Sequence, residues 1–185
     1  PANRSGKLYN IVSYGIDQET ERLDYDAIEA LAREHRPKMI IAGFTSYPWM
    51  PDWARFRQIA DAVGAYLLAD ISHIAGMVAA GVVSSPIGYA DVISFTTHKT
   101  LYGPRGACIL TTDKALAHRV DAAVFPGEQG GPHINAIAGM AVAFKLAHSE
   151  EFASLQRQVV QNAKHLAGEL ERHVFCIASG GTETH

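Results

Sequence analysis

The chain has no block of lysines and arginines, no closely spaced cysteine pair and no apolar run near the roughly 20 residues a membrane helix needs. With 16 basic and 19 acidic residues the net charge is -3. That excludes the clustered positive charge by which nucleic acid or an anionic membrane is held. The two cysteines, Cys108 and Cys176, both fall inside expected strands without disulfide or zinc spacing, so they read as small core residues in a reducing compartment, and no metal is expected. No secretory signal opens the sequence, no repeat or low-complexity tract interrupts it, and the expected location is cytoplasmic. What remains is a chain of 185 residues with 48% hydrophobic content, enough for one core and one domain.

Short apolar runs alternate with helical patterns. Leu8 to Tyr14 reads as a strand, Asp17 to Arg22 as a polar loop, and Asp24 as the N-cap of a helix that carries Ile28, Leu31 and Ala32 and stops before Pro37. Met39 to Ala42 is a continuous apolar strand, too short for a helix. Pro48 to Asp52 is turn chemistry; Trp53, Phe56, Ile59, Ala60 and Val63 then take helical spacing until Gly64 ends the helix. Ala65 to Asp70 is the next strand, and Val92, Ile93 and Phe95 mark another. Ala107 to Leu110 is a further strand, and Thr112 or Asp113 caps a helix through Leu116 and Val120. A loop from Pro126 to Pro132 opens a small-residue helix from about Ile134 to His148. Phe152, Leu155, Val159, Ala163, Leu166 and Leu170 mark one face of a helix from Glu150 to Arg172, and Val174 to Ala178 begins a last strand. This alternation predicts an α/β fold with a mostly parallel sheet covered by helices.

The chemistry concentrates where strands end. The run from Asp91 to Phe95 stops at Thr96, Thr97, His98 and Lys99, and Gly103, Pro104 and Gly106 mark a turn just beyond the lysine. Ligands of open α/β sheets bind at the carboxyl ends of strands, and a lysine partly removed from water there can attack carbonyls. On position alone such a lysine is more often a solvated charge. Upstream, however, the strand Ala65 to Asp70 also ends in a carboxylate, with His73 three residues on. An amine to hold an aldehyde as a Schiff base and an acid to keep a pyridine nitrogen protonated are what a pyridoxal phosphate site requires. Lys99 and Asp70 are the candidates. The stretch His73 to Gly81 is rich in small residues, which allow a short helix to approach a cofactor or the sheet closely, although tight packing alone explains its glycines equally well. The Gly130-Gly131 loop before a helix exposes amides suited to an anion, although a lone Gly-Gly is commonly just a turn.

Six blocks in this order resemble serine hydroxymethyltransferase, a fold-type I pyridoxal phosphate enzyme family. They are Gly6 to Val12 with Tyr14 to Asp17; Pro37 to Ile41 with Gly43-Phe44; Ala69 to Gly76; Thr96 to Leu101 with Gly103 to Gly106; Val124 to Gly127 with Gln129 to Pro132; and Ser179 to Thr182. The resemblance spans nearly the whole chain. It implies that residues 1-148 are part of the family's large cofactor-binding α/β domain, and that 149-185 are the connecting helix and the start of its C-terminal small domain. It implies serine and glycine interconversion with tetrahydrofolate as one-carbon acceptor, giving 5,10-methylenetetrahydrofolate, in a homodimer or dimer of dimers. Lys99 would be the Schiff-base lysine, Asp70 the partner of the pyridine nitrogen, and His73 a neighbour of the cofactor's phenolic oxygen and the substrate carboxylate. Thr45, where the family usually has serine, would reach that phenolic oxygen, with Ser46 as its neighbour; Thr96 and His98 would position the lysine. A buried Arg105 would orient the substrate or brace its loop. Gln129, Gly130 and Gly131 would reach the phosphate of the neighbouring subunit's cofactor.

Departures from the family pattern are Asn135 in place of a common His, and Glu183-Thr184 in place of Asp-Asn. The ring that stacks on the cofactor, the first phosphate loop, the groups near the folate and the arginine that clamps the substrate carboxylate have no counterpart, and the sequence opens inside a block at Pro1 to Gly6 without an initiator Met. An internal piece of a longer protein is therefore expected. Two alternatives stand beside this reading: a related pyridoxal phosphate aldolase or α-methylserine hydroxymethyltransferase, and an inactive truncated chain that retains only a dimerisation surface.

Overall fold

The computed structural model describes residues 3–185; Pro1 and Ala2, at the very start of the chain, lie outside the described residues. Four strands, β1 (Met39–Ala42), β2 (Tyr66–Asp70), β3 (Val92–Thr96) and β4 (Ala107–Leu110), form one sheet in the order β1-β2-β3-β4. The first three run parallel, and β4 turns back antiparallel on β3. The helices are α1 (Ser5–Leu8), α2 (Tyr25–His35), α3 (Trp53–Val63), α4 (Ala75–Ala79), α5 (Lys114–Ala122), α6 (Ile134–Ala147) and α7 (Glu150–Arg172). Two parallel crossovers thus carry α3 and α4, as the alternating sequence pattern requires.

Local chemistry sets the element boundaries. Asp24, Asp52, Asp113 and Ser149 each accept a backbone N–H from the first turn of the helix they precede, which satisfies otherwise orphaned donors. Gly64 ends α3 in the left-handed region at φ 70°, a conformation that costs glycine little. The strand register puts Ile40, Ala42, Leu67, Ala69 and Ile93 on one face, where they meet Ile28, Phe56, Ile59 and Ala60 of α2 and α3 in the core. The other face carries Asp70, Ser94 and Thr96, with Met39, Ile41, Tyr66 and Ile109 between 45% and 56% exposed.

Two expected strands do not form. Among the described residues the Leu8 to Tyr14 stretch ends α1 and continues as irregular backbone, with Leu8, Tyr9, Ile11 and Val12 exposed and only the isolated bridge Ile16–Leu23 after it. Strand-forming side chains cannot make a strand without a ladder partner, and here Tyr14 instead donates its hydroxyl to the Ile41 carbonyl at 2.7 Å. Val174 to Ala178 is also not a strand. Val174 sits at φ 67° and is 94% exposed, and the segment passes into a short 3₁₀ turn at Ala178–Gly180. Cys176 is accordingly exposed in irregular backbone, whereas Cys108 lies in β4 as expected, half-buried. The buried stripe of α7 is Phe152, Gln156 and Val160, with Leu155 and Leu166 exposed, so the helix is rotated from the all-apolar face the spacing suggests.

Candidate functional site

Because β1, β2 and β3 are parallel, their carboxyl ends open on one side, and the loops Gly43–Tyr47, Ile71–Ile74 and Thr97–Gly103 emerge there together. Gly43 lies hard against β2: a Cβ at that position would sit 2.2 Å from the Asp70 carbonyl oxygen. Asp70, opposite Ser94 in the register, ends β2 half-buried. One of its carboxylate oxygens accepts the Ser72 N–H at 2.8 Å, and among the described residues the other takes no hydrogen bond.

The turn after β2 and the lysine turn after β3 are stitched together by hydroxyls. Thr96 N–H donates to Ser72 Oγ at 3.1 Å and Thr96 Oγ1 to the Ser72 carbonyl at 3.4 Å. Thr100 Oγ1 donates to the His73 carbonyl at 2.8 Å and accepts the Gly76 N–H at 2.9 Å. A Cβ on Gly76 would meet the Thr100 carbonyl at 2.1 Å, so glycine is required by this approach. Within the lysine turn, Tyr102 N–H donates to the Lys99 carbonyl at 3.0 Å, Gly103 N–H to the Thr97 carbonyl at 2.8 Å, and the fully buried Thr97 hydroxyl to the Pro104 carbonyl at 2.6 Å. Lys99 is thus delivered on a tightly tied turn.

His73 reports the company it keeps. Burial pushes its imidazole below the ordinary histidine range, the Lys99 ammonium and His185 add to this, and the Asp70 carboxylate opposes it. A neutral ring is favoured. His73 therefore lies within electrostatic reach of both Asp70 and Lys99, with Thr96 joined to the same turn. His98 adds a buried Nδ1 with no hydrogen-bond partner among the described residues. A primary amine, a carboxylate with an unpartnered oxygen and a neutral imidazole fit the aldehyde, pyridine nitrogen and polar rim of pyridoxal phosphate. No cluster of three metal-ligating side chains occurs among the described residues.

Other expected residues are placed differently. Thr45 and Ser46 lie on the loop after β1, close in sequence to Gly43. Arg105 is exposed, which corrects the expectation of a buried arginine: it projects from a turn whose own backbone already bonds to Thr97, leaving the guanidinium in solvent. Gly130 and Gly131 lie in the exposed loop between α5 and α6, Gly131 at φ 57°. That loop comes after an irregular π-type turn, Ala123–Glu128, and its bonds run to Val124 and, through Glu128, to Arg4.

Sequence reasoning missed two neighbours of the site. The segment Ser179–His185 folds over the loop after β1: Glu183 N–H and the Thr182 and Thr184 hydroxyls donate to the Pro48 carbonyl, Trp49 Nε1 donates to the Ser179 carbonyl, and Ser179 Oγ donates to the Glu21 carbonyl. Thr184 is buried, and the His185 ring stacks on His73 with centroids 6.0 Å apart. Nothing in the local pattern announces a contact over such a separation. The second is Gln156, fully buried on α7 and donating to the Thr100 carbonyl at 3.0 Å. Its signal was available, a polar residue midway between Phe152 and Val160 at helical spacing.

The serine hydroxymethyltransferase family model matches residues 2–185. The chain is 55% identical over 183 residues to a serine hydroxymethyltransferase of a Psychrobacter species, strain PRwf-1, and 54% identical to that of Psychrobacter cryohalolentis. It is 53% identical over 185 residues to the one from Alteromonas mediterranea. In each case the match covers 99% of this chain and 44% of the relative, so the chain spans less than half the length of these relatives. On a match along essentially its whole length, the chain belongs to the serine hydroxymethyltransferase family.

Proposed function

We propose that the protein carrying this sequence interconverts serine and glycine, with pyridoxal phosphate as cofactor and tetrahydrofolate as one-carbon acceptor, and that residues 1-185 supply the lysine side of its active site. The observation that carries this reading is the gathering of Asp70, His73 and Lys99 at the carboxyl ends of adjacent parallel strands in a member of this family. When bound, pyridoxal phosphate supplies an electron sink for the bonds at an amino acid's Cα, and the folate takes up the one-carbon unit.

Each residue has a role within that reading. Lys99 would hold the cofactor's aldehyde through its Nζ, from a turn whose backbone is tied by hydrogen bonds at Lys99, Thr97 and Pro104. Asp70 keeps a proton on the pyridine nitrogen through its unpartnered carboxylate oxygen. His73, neutral, offers one ring nitrogen as donor and one as acceptor near the phenolic oxygen and the substrate carboxylate. Thr45 and Thr96 would contribute hydroxyls at the rim, His98 would steady the lysine, and Arg105 would orient substrate from the surface of its loop or brace that loop. The amides of Gly130 and Gly131 bind the phosphate in a neighbouring subunit, which makes the working unit a homodimer or a dimer of dimers. Within this assembly 1-148 belong to the large domain, and 149-185 lead into a small one. The setting is cytoplasmic one-carbon and amino-acid metabolism.

The test uses the protein expressed from its complete reading frame. Borohydride trapping with pyridoxal phosphate should place the pyridoxyl group on Lys99, and Lys99→Ala should lose it while keeping the fold, since shortening a strand-end side chain opens no core cavity. A label on a different lysine would refute the site. Glycine formation from serine that is indifferent to tetrahydrofolate would replace the proposed reaction with that of a related aldolase.

A further inference from the structure

A buried glutamine is an unusual choice for a helix face. Gln156 is fully buried between Phe152 and Val160 on α7, and its Oε1 has no hydrogen-bond partner among the described residues. Burying an amide oxygen unpaired opposes folding, so packing alone would favour leucine or methionine at this position. What the amide does make is one bond, from Nε2 to the Thr100 carbonyl at 3.0 Å. Thr100 is the residue directly after Lys99, and its hydroxyl already bridges the His73 carbonyl and the Gly76 N–H. One helical turn earlier on α7, the Phe152 ring meets Tyr102 edge-on with centroids 6.2 Å apart. Tyr102 closes the lysine turn at φ 57°, a left-handed conformation that tertiary contacts must hold in place. The long helix therefore grips the turn on both sides of Leu101, which is itself buried.

We propose that Gln156 is a positioning residue for Lys99: its amide fixes the Thr100 carbonyl to α7 and so sets the direction in which the lysine leaves the turn. The inference rests on the reading of Lys99 as the lysine that holds the cofactor. It also accounts for the hydrogen bond by which α7 reaches the turn. The turn satisfies itself through Thr97, Gly103 and Pro104, and it reaches the preceding strand connection through Thr100 Oγ1. The Thr100 carbonyl takes part in neither set of bonds, and α7 donates to it.

The experiment compares the parent with Gln156→Met and Gln156→Glu, each expressed from the complete reading frame, incubated with pyridoxal phosphate and trapped with borohydride at timed intervals. Trapping on Lys99 is quantified by peptide mass, and melting temperature is tracked in parallel. Gln156→Met keeps the volume and removes the donor. Trapping should slow about tenfold, equivalent to about 1.4 kcal/mol, as expected for one unpaired buried acceptor. A variant that folds and traps at the parental rate would overturn the proposal, because a packing role is preserved by methionine.

Should Gln156→Met fail to fold, Gln156→Glu decides. A buried carboxyl is held protonated at about pH 6 and can donate to the Thr100 carbonyl, whereas ionisation at about pH 8.5 removes the donor. The trapping rate relative to parent should be near one at the lower pH and fall at the higher; a flat ratio would overturn the proposal. Parental protein that traps nothing on Lys99 would instead refute the cofactor reading. In that case the rate of Lys99 acylation by acetic anhydride, normalised to the exposed Lys164, tests the positioning alone: equal rates in parent and variant overturn it, and a changed rate upholds it.

Discussion

Replacing Gly43 with alanine should be among the most damaging small changes available to this chain. The new Cβ would lie 2.2 Å from the Asp70 carbonyl oxygen, 2.7 Å from its Cβ and 2.9 Å from its carbonyl carbon. An ordinary contact requires the two backbones to part by about 1 Å. Asp70 cannot retreat alone, because it is paired with Ser94 in the sheet, Ile71 N–H donates to the Ser94 carbonyl at 2.9 Å, and Ser72 N–H is bound to its carboxylate. Overpacking against a fixed partner, with at least one strand-end hydrogen bond stretched, costs about 2–4 kcal/mol. The control is Gly15→Ala, where the added methyl meets nothing within 4 Å and the backbone is not left-handed. That change should be neutral or stabilise by up to about 1 kcal/mol through the unfolded chain. Urea unfolding of both variants measures the difference, and borohydride trapping on Lys99 reports whether displacement of Asp70 disturbs the site. A Gly43→Ala variant within about 0.5 kcal/mol of Gly15→Ala would refute the claim that β1 and β2 are locked at this end.

Asp70→Asn should retain pyridoxal phosphate binding yet lose most turnover, since an amide cannot hold the pyridinium proton by charge; turnover within a few-fold of parent would remove Asp70 from that role. His73 should make stability depend on pH in a defined direction. Its folded pKa lies below the ordinary value, so between the two the unfolded chain binds more protons, and the contribution is present above about pH 6.5 and lost as pH falls through that interval. The urea midpoint of parent minus that of His73→Gln should therefore shrink on acidification, and a difference that stays flat or grows would contradict the burial and the Lys99 charge as causes.

Helices α2, α3, α5, α6 and α7 and the three parallel strands were legible because their signals are local: aspartates capping α2 and α5, apolar spacing and a terminal glycine in α3, and β-branched or apolar runs ending at Asp70 and Thr96, whereas the single turn of α1 was not. That Asp70 and Lys99 follow strands at the same end of the sheet was legible for a related reason, since parallel strand ends must fall on one side of a sheet. Leu8 to Tyr14 and Val174 to Ala178 misled because strand propensity expresses side-chain fit to a partner, and among the described residues neither stretch has one. Arg105 was misplaced because a motif fixes a residue's neighbours in sequence and says nothing of its exposure. His185 over His73 was invisible to any reading by periodicity, being set by a contact between residues 112 positions apart.

The clasp of Ser179 to Thr184 on the loop after β1 has a kinetic side. Its hydrogen bonds join residues 130 to 158 positions apart, whereas the β1-β2-β3 ladders and the capped helices form over much shorter separations. Closing so long a loop adds little to the equilibrium cost, which grows only with the logarithm of its length, but that cost falls before any contact rewards it. The clasp should therefore form after the main barrier. Weakening it, for example with Trp49→Leu, which removes the bond to the Ser179 carbonyl and the stacking of Arg22 at 3.5 Å, should speed unfolding in stopped-flow experiments and leave the refolding rate nearly unchanged. A slowed refolding limb would place the clasp in the nucleus. If it forms late, the contact between His185 and His73 can open and reclose many times while the sheet beneath it stays folded, so proteolysis there would track the population of the opened clasp and not the rate of global unfolding.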